Sequence, residues 1–319
     1  MAARLIVNAE RRNLAANSDL TARLPAGIDA AAVQVTVTKA AGPGVVRLDA
    51  GEGSLDALNV AEAGVTTTNL VVLPVSSRTL AVRHEPGGGL EISVVGTFSS
   101  APESGAGRFV ARKPVRVARL DVEQDGRELT VDPSAYGAGP GIRAALVLVS
   151  AEVGATSPAR LLVGREPAGL AERMVWGPAV GGKTQRRGLA LVPVNAAGEF
   201  SLRYEHGTAL DVDVLGFFTG PGAPVSNGAL LVPAPPSTLF NGVLGRGDTN
   251  LSAPRYATGA LLNLAAEPGV AGDLAPSDVA VASGRTLAVV VDAEKGRIRL
   301  NALRTLRARV DLLGYFMRE

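Results

Sequence analysis

Apolar and polar residues alternate in one stretch that the chain uses three times. It reads Leu90-Glu-Ile-Ser-Val-Val-Gly-Thr-Phe98, then Leu210-Asp-Val-Asp-Val-Leu-Gly-Phe-Phe218, then Ala308-Arg-Val-Asp-Leu-Leu-Gly-Tyr-Phe316. Alternation with period two places Ile92 and Val94, Val212 and Val214, or Val310 and Leu312 on one face of a strand, with the charged residues opposite. The glycine marks a bulge or a close backbone approach, and the last Phe can plug the end of a core. Two further apolar strands recur ahead of each copy. The nearer spans 70–75, 189–194 and 287–292, and the earlier spans 33–37, 146–149 and 261–264. Turns at 195–198 and 293–296 are read as hairpin loops with Gly where a left-handed residue is needed.

Between the copies, 99–107 and 219–228 are rich in Gly, Pro and Ser, with nothing to bury, and read as linkers. Three related domains follow, 1–98, 108–218 and 229–319. Helical periodicity is absent apart from 273–281, where a short helix or turn would fit. Short strands and frequent turns predict an all-β chain of three tandem antiparallel β-sandwiches of jelly-roll type. The three could pack about a pseudo-threefold axis or string out as spacers.

Composition narrows the function. The chain of 319 residues is too long for one ordinary core. Its 38 Gly and 20 Pro suit many turns, and its 4% aromatic content leaves cores of Ala, Val and Leu. Lys and Arg total 32 against 30 Asp and Glu, so no global field points to nucleic acid or an anionic membrane. With no cysteine, disulfides, thiol catalysis and Cys-ligated zinc are excluded. No apolar leader and no run of membrane-spanning length is present, so membrane insertion is not expected, and the chain is read either as a mature form or as one that stays in the producing cell until something else releases it.

In the first copy, residues 32–38, Gly44 to Leu48, Ser54, Leu58-Asn59, Gly64, residues 69–75 and the closing Gly96-Thr-Phe98 come in an order that resembles a β repeat of high-GC actinobacterial extracellular proteins, one that ends in Asp-Val-x-Gly-Tyr-Phe. Arg108 to Val117 is similar to that family's entry, Asp213 and Asp311 match its closing Asp, and Ser93 departs from it. The resemblance implies a non-catalytic module of surface proteins, and similar modules would suit tail proteins of phages that infect those bacteria. Without a leader, a virion protein freed by lysis fits better than a cell-surface one. The implied partners are other virion proteins, such as a trimeric hub, or further copies of the chain, and host cell-wall glycan. A carbohydrate- or cell-wall-binding module of a surface protein is the other reading.

Several motifs invite chemistry. Gly177 to Thr184 spells a phosphate loop, but that loop needs a helix after it, whereas Gln-Arg-Arg-Gly and a strand with Pro193 follow. A plain turn is expected, with no cofactor. His84 and His206 read as surface-loop residues without a third ligand. Asp211, Asp213 and Asp311 read as the solvated face of their strands, and no serine sits in a nucleophile elbow, so no catalytic or metal residue is assigned. Arg246-Gly-Asp248 is an adhesion tripeptide of common residues. The best candidate contact for protein or glycan is Arg173, Met174 and Trp176 with Arg186 and Arg187, since Trp beside Arg is typical of binding hot spots. Alternatively, Met174 and Trp176 cap the core of domain two.

Overall fold

The computed structural model describes residues 2–4, 8–99, 107–121, 126–132, 141–154, 156–178, 184–220, 223, 228–266, 272–275, 279–281, 286–302 and 305–318. The first unit holds β1 (Ala2–Arg4), β2 (Asn8–Leu14), β3 (Ser18–Arg23), β4 (Ala30–Thr38), β5 (Gly44–Asp49), β6 (Ser54–Val60), β7 (Thr67–Pro74), β8 (Thr79–His84) and β9 (Gly88–Ser99). The second holds β10 (Arg108–Asp121), β11 (Glu128–Val131), β12 (Ile142–Val153), β13 (Ala159–Gly164), β14 (Ala171–Trp176), β15 (Thr184–Pro193), β16 (Phe200–Glu205) and β17 (Gly207–Thr219). The third holds β18 (Ala229–Leu244), β19 (Gly247–Ser252), β20 (Ala257–Ala266), β21 (Gly272–Ala275), β22 (Val279–Val281), β23 (Thr286–Glu294), β24 (Arg297–Ala302) and β25 (Leu306–Met317).

Each unit is built from the same two antiparallel sheets. One runs β2-β9-β4-β7, β10-β17-β12-β15 and β18-β25-β20-β23; the other runs β3-β8-β5-β6, β11-β16-β13-β14 and β19-β24-β21-β22. β1 flanks β9 beside β2. With β1 and β2 counted as one interrupted strand, the orders are first-eighth-third-sixth and second-seventh-fourth-fifth. That is the two-sheet, double Greek-key plan of a jelly roll. The chain is three jelly rolls in tandem.

Two local expectations are corrected. Residues 272–281 carry no described helix: Gly272 pairs with Val281 and Leu274 with Val279, because the third copy keeps its fourth and fifth strands in shortened form. The turn after β15 is not a hairpin, since β15 and β16 lie in different sheets. Its counterpart is one: Glu294 pairs with Arg297 across Lys295 and Gly296, whose φ values of 51° and 77° suit a tight two-residue turn.

The repeated closing strand does something alternation did not announce. Where β9, β17 and β25 pair with β4, β12 and β20, the register slips at Val95, Leu215 and Leu313, the residue before the glycine in every copy. Each slip is a bulge, which re-aims the side chains that follow it. Val212 and Val214 point into the second unit's own core, and Val310 and Leu312 into the third's. Val95, Leu215 and Leu313, and the final Phe98, Phe218 and Phe316, instead enter one apolar cluster shared by all three units. There Phe98 meets Phe218 edge-on at 5.8 Å, Phe109 meets Phe218 at 5.0 Å, and Phe109 stacks on Phe316 at 4.4 Å. The last Phe therefore plugs the junction of three sandwiches, not the end of one.

The strands beside it are apolar on both faces for the same reason. In β12, Ala145, Val147 and Val149 fill the unit's own sandwich, while Ala144, Leu146 and Leu148 fill the shared cluster. The sixth strands β7, β15 and β23 all touch one another. Contacts thus close between every pair of units, so the jelly rolls form a ring around a quasi-threefold centre and not a string. The ring is imperfect: β10 and β18 also join edge to edge, with Arg108 opposite Leu230 and Phe109 opposite Ala229.

Candidate functional site

The candidate site is the set of seams between jelly rolls and the two clefts that border them. At the seam between the first and second units, the Thr68 hydroxyl of β7 accepts from the Val175 amide of β14 at 3.2 Å, and the Gly177 amide donates to the Thr66 carbonyl at 2.9 Å. At the seam between the first and third, the Asn59 amide donates to the Thr286 hydroxyl at 2.8 Å. An ion-pair chain runs alongside it. Arg47 contacts Asp56 at 2.7 Å and also Glu85, Asp56 contacts Arg309, and Arg309 contacts Asp311 at 2.8 Å.

Asp311 was expected on a solvated strand face, and it is 1% exposed. The first jelly roll reaches that side through Asp56, and Arg309 and the Thr238 hydroxyl of the adjacent β18, at 2.7 Å, bind the carboxylate Oδ1, while Oδ2 is buried without a hydrogen-bond partner. Asp211 and Asp213 differ. They keep partial exposure, and both are bound by Arg116 of β10, at 2.8 and 2.6 Å, so the pair is neutralised across neighbouring strands.

The predicted contact residues divide. Met174 and Trp176 are each 2% exposed and sit in the second unit's own core. They present no surface to a partner, a correction to the hot-spot reading that follows from strand parity: on β14 they face inward while Arg173 and Val175 face out. Arg173 is 4% exposed, its Nε has no hydrogen-bond partner, and burial lowers its pKa against an opposing pull from Glu91 of β9. Arg186 and Arg187 lie half-buried on β15 opposite Ala151 and Ser150; burial lowers the pKa of Arg186. Arg173 lines a cleft of about 430 Å³ in the second unit, together with Arg165, Glu166 and Pro193. A cleft of about 360 Å³ opens at the seam of the first and third units, where Asp56, Asn59 and Arg309 meet Asn241.

Most of the remaining motifs close off. Of the phosphate-loop match, residues 179–183 lie outside the described residues, and Thr184 begins a strand, not a helix. The aspartate of the adhesion tripeptide is held on β19 by Arg299 and by Asn301 at 2.8 Å, which lowers the Asp248 pKa. His84, expected on the surface, is fully buried at the end of β8, and neither ring nitrogen finds a partner of ordinary geometry. Burial lowers its pKa, and the nearby Gly87 backbone only partly opposes this. His206 does occupy an exposed turn, at a φ of 61°. Among the described residues no three His, Cys, Asp or Glu side chains group to hold a metal ion.

No protein-family model matches the chain, and no curated protein does. Among solved structures it is similar to one of Sulfolobus turreted icosahedral virus, at 6% identity, covering 69% of this chain and 92% of that one, with a TM-score of 0.22. It is also similar to a structure described as the triple jelly roll fold and turret assembly in an archaeal virus, at 6% identity, 99% and 91% coverage and a TM-score of 0.23. A third is the tandem CBM22-1–CBM22-2 domain of Paenibacillus barcinonensis Xyn10C, at 13% identity, 68% and 92% coverage and a TM-score of 0.20. With scores this low, the jelly-roll assignment rests on this chain's own strand order.

Proposed function

We propose that the chain is a non-catalytic structural protein of a virion, a minor tail protein of a phage of actinobacteria that serves assembly or contact with the host surface. The observation that carries this reading is the closed ring. Three fused jelly rolls share one core at the centre, so the chain is a preassembled block whose outward sheets and edges are left for other surfaces. The quasi-threefold meeting of β7, β15 and β23 matches the symmetry of a trimeric neighbour, and self-association through the part of the β18 edge beyond Leu230, where its pairing with β10 ends, is the other way to use it. That edge carries Val232 and Val243, exposed at 44% and 60%. Pro233, Pro235 and Pro236 interrupt its ladder, which guards against indiscriminate strand pairing.

The resemblance of the closing strand to the actinobacterial repeat supports the choice of host. The test is peptide mass spectrometry of purified particles, with antibody labelling to place the chain. Stoichiometric peptides in particles and label on the tail support the reading. Absence from particles, with the chain found on the bacterial wall, would replace it with the cell-wall-binding module.

A further inference from the structure

The third jelly roll is open where the other two are closed. The residue after the bulge glycine is Thr97, Phe217 or Tyr315; the first two are 2% and 1% exposed, whereas Tyr315 is half-buried. The connection between second and third strands differs as well. In the first roll it spans 24–29, with Leu24 buried and Ile28 packed on the core, but in the third it is cut to 253–256 and contributes Tyr256, which is 70% exposed. Strand register makes these residues one patch. Val232 lies opposite Tyr315, and Met317, two residues on, shares that side and packs on the third roll's own core. Tyr256 adjoins Ala257, the partner of Met317, and its carbonyl accepts from the Arg318 amide at 3.3 Å. Val232, 44% exposed, and Tyr256 are two of the three large apolar residues that stand exposed among the described residues.

Cations rim the patch. Arg255 and Arg318 are exposed, and among the described residues neither side chain has an ion-pair or hydrogen-bond partner. The β23–β24 hairpin reaches the same rim, since the Ala253 amide donates to the Gly296 carbonyl at 2.9 Å. Counting that hairpin, the cations Arg255, Lys295, Arg297 and Arg318 stand against the carboxylates Asp292 and Glu294, so positive charge is in excess. We infer that this patch docks a segment of another protein that carries an apolar side chain flanked by carboxylates. Exposed Tyr and Val over Met, beside unpaired Arg, is the composition of an interface core with its polar rim. The rim selects an acidic partner and disfavours a second copy of the same face, which would set arginine against arginine. The inference rests on the assembly reading only for the partner's being a virion protein. Peptide binding tests the surface and particle mass spectrometry tests that reading, so either can fail alone.

Fluorescence anisotropy with the full chain and three labelled peptides tests it: Glu-Glu-Leu-Phe-Glu-Glu, Lys-Lys-Leu-Phe-Lys-Lys and Glu-Glu-Ser-Ser-Glu-Glu, with a single-stranded oligothymidine alongside. The first peptide should bind saturably and at least about 5-fold tighter than the other three probes. Tyr256→Ala should weaken it about 5-fold or more, and Arg255→Gln combined with Arg318→Gln about 3-fold or more. Val243→Ser, exposed elsewhere on β18, should leave it unchanged. All three positions are exposed, so the variants should fold. No saturable binding of the first peptide, equal binding of either other peptide, or indifference to Tyr256→Ala would overturn the assignment. Tighter binding of oligothymidine would replace the protein partner with nucleic acid, and a dimer in sedimentation that Tyr256→Ala dissolves would replace it with a second copy.

Discussion

The Asn69 side chain donates to the Asn263 side-chain carbonyl across 2.9 Å, joining the first jelly roll to the third where both residues are at most 3% exposed. The same Asn69 amide group donates to the Ala57 carbonyl at 2.8 Å, and its oxygen accepts from the Ala288 amide of β23 at 2.9 Å. Asn263 in turn donates to the Asp56 carbonyl at 2.8 Å. Amid apolar strands these bonds specify one docking of the two units, since any slip leaves buried amides unpaired.

Asn69→Ala should therefore lower the unfolding free energy by about 2–4 kcal/mol, the cost of stranding several buried partners. In a double-mutant cycle with Asn263→Ala, urea denaturation should show a coupling of at least about 0.5 kcal/mol. Additive effects would mean that the two residues do not act across the seam.

Gly216 leaves room for the Phe109 ring, which a Cβ at that position would overlap. Gly216→Ala should cost about 1–3 kcal/mol in the same assay. Gly42→Ala, where a Cβ meets nothing within 4 Å, should be neutral or slightly stabilising.

His84 sets an acid limit. Its pKa in the folded chain lies below the ordinary 6.5, so the unfolded chain binds the proton more readily. The stabilisation is fully present above about pH 6.5 and is lost as pH falls from there toward the lower folded value. Thermal denaturation between pH 7.5 and 5 should show the loss, at most about 1.4 kcal/mol per pH unit from this group. His84→Leu should flatten that slope, and His206→Ala, at an exposed position, should leave it unchanged.

Arg309 balances buried Asp311 and reaches Asp56 of the first jelly roll. Arg309→Met should cost about 2–4 kcal/mol by leaving the Asp311 carboxylate uncompensated. Adding Asp311→Asn should recover a large part of that loss. A double variant no more stable than Arg309→Met would refute the pairing.

The triplicated closing strand, the strand-rich units and the bulge glycine were legible in the sequence, because period-two patterning and turn chemistry act locally. What covers the outer faces of those strands was not. A half-buried strand alternates, so the nearly unbroken apolar run from Leu189 to Val194 already signalled burial on both faces. Asp311 was misread because polarity in a single copy carries no information about a neighbouring copy that closes over it, whereas His84 follows Leu80 and Val82 on the inward face of β8 within its own jelly roll. Arg173, Met174 and Trp176 were singled out together, but Met174 and Trp176 turn into the core of the second unit, and only the alternation along β14 separates them from Arg173.

The closed ring itself is tested most directly by small-angle X-ray scattering from the chain, at a forward intensity matching one 32.5 kDa molecule. Packing about one shared core predicts a radius of gyration of about 20 Å by compact-chain scaling. A value above about 28 Å, as three jelly rolls of about 13 Å each strung end to end would give, would contradict it.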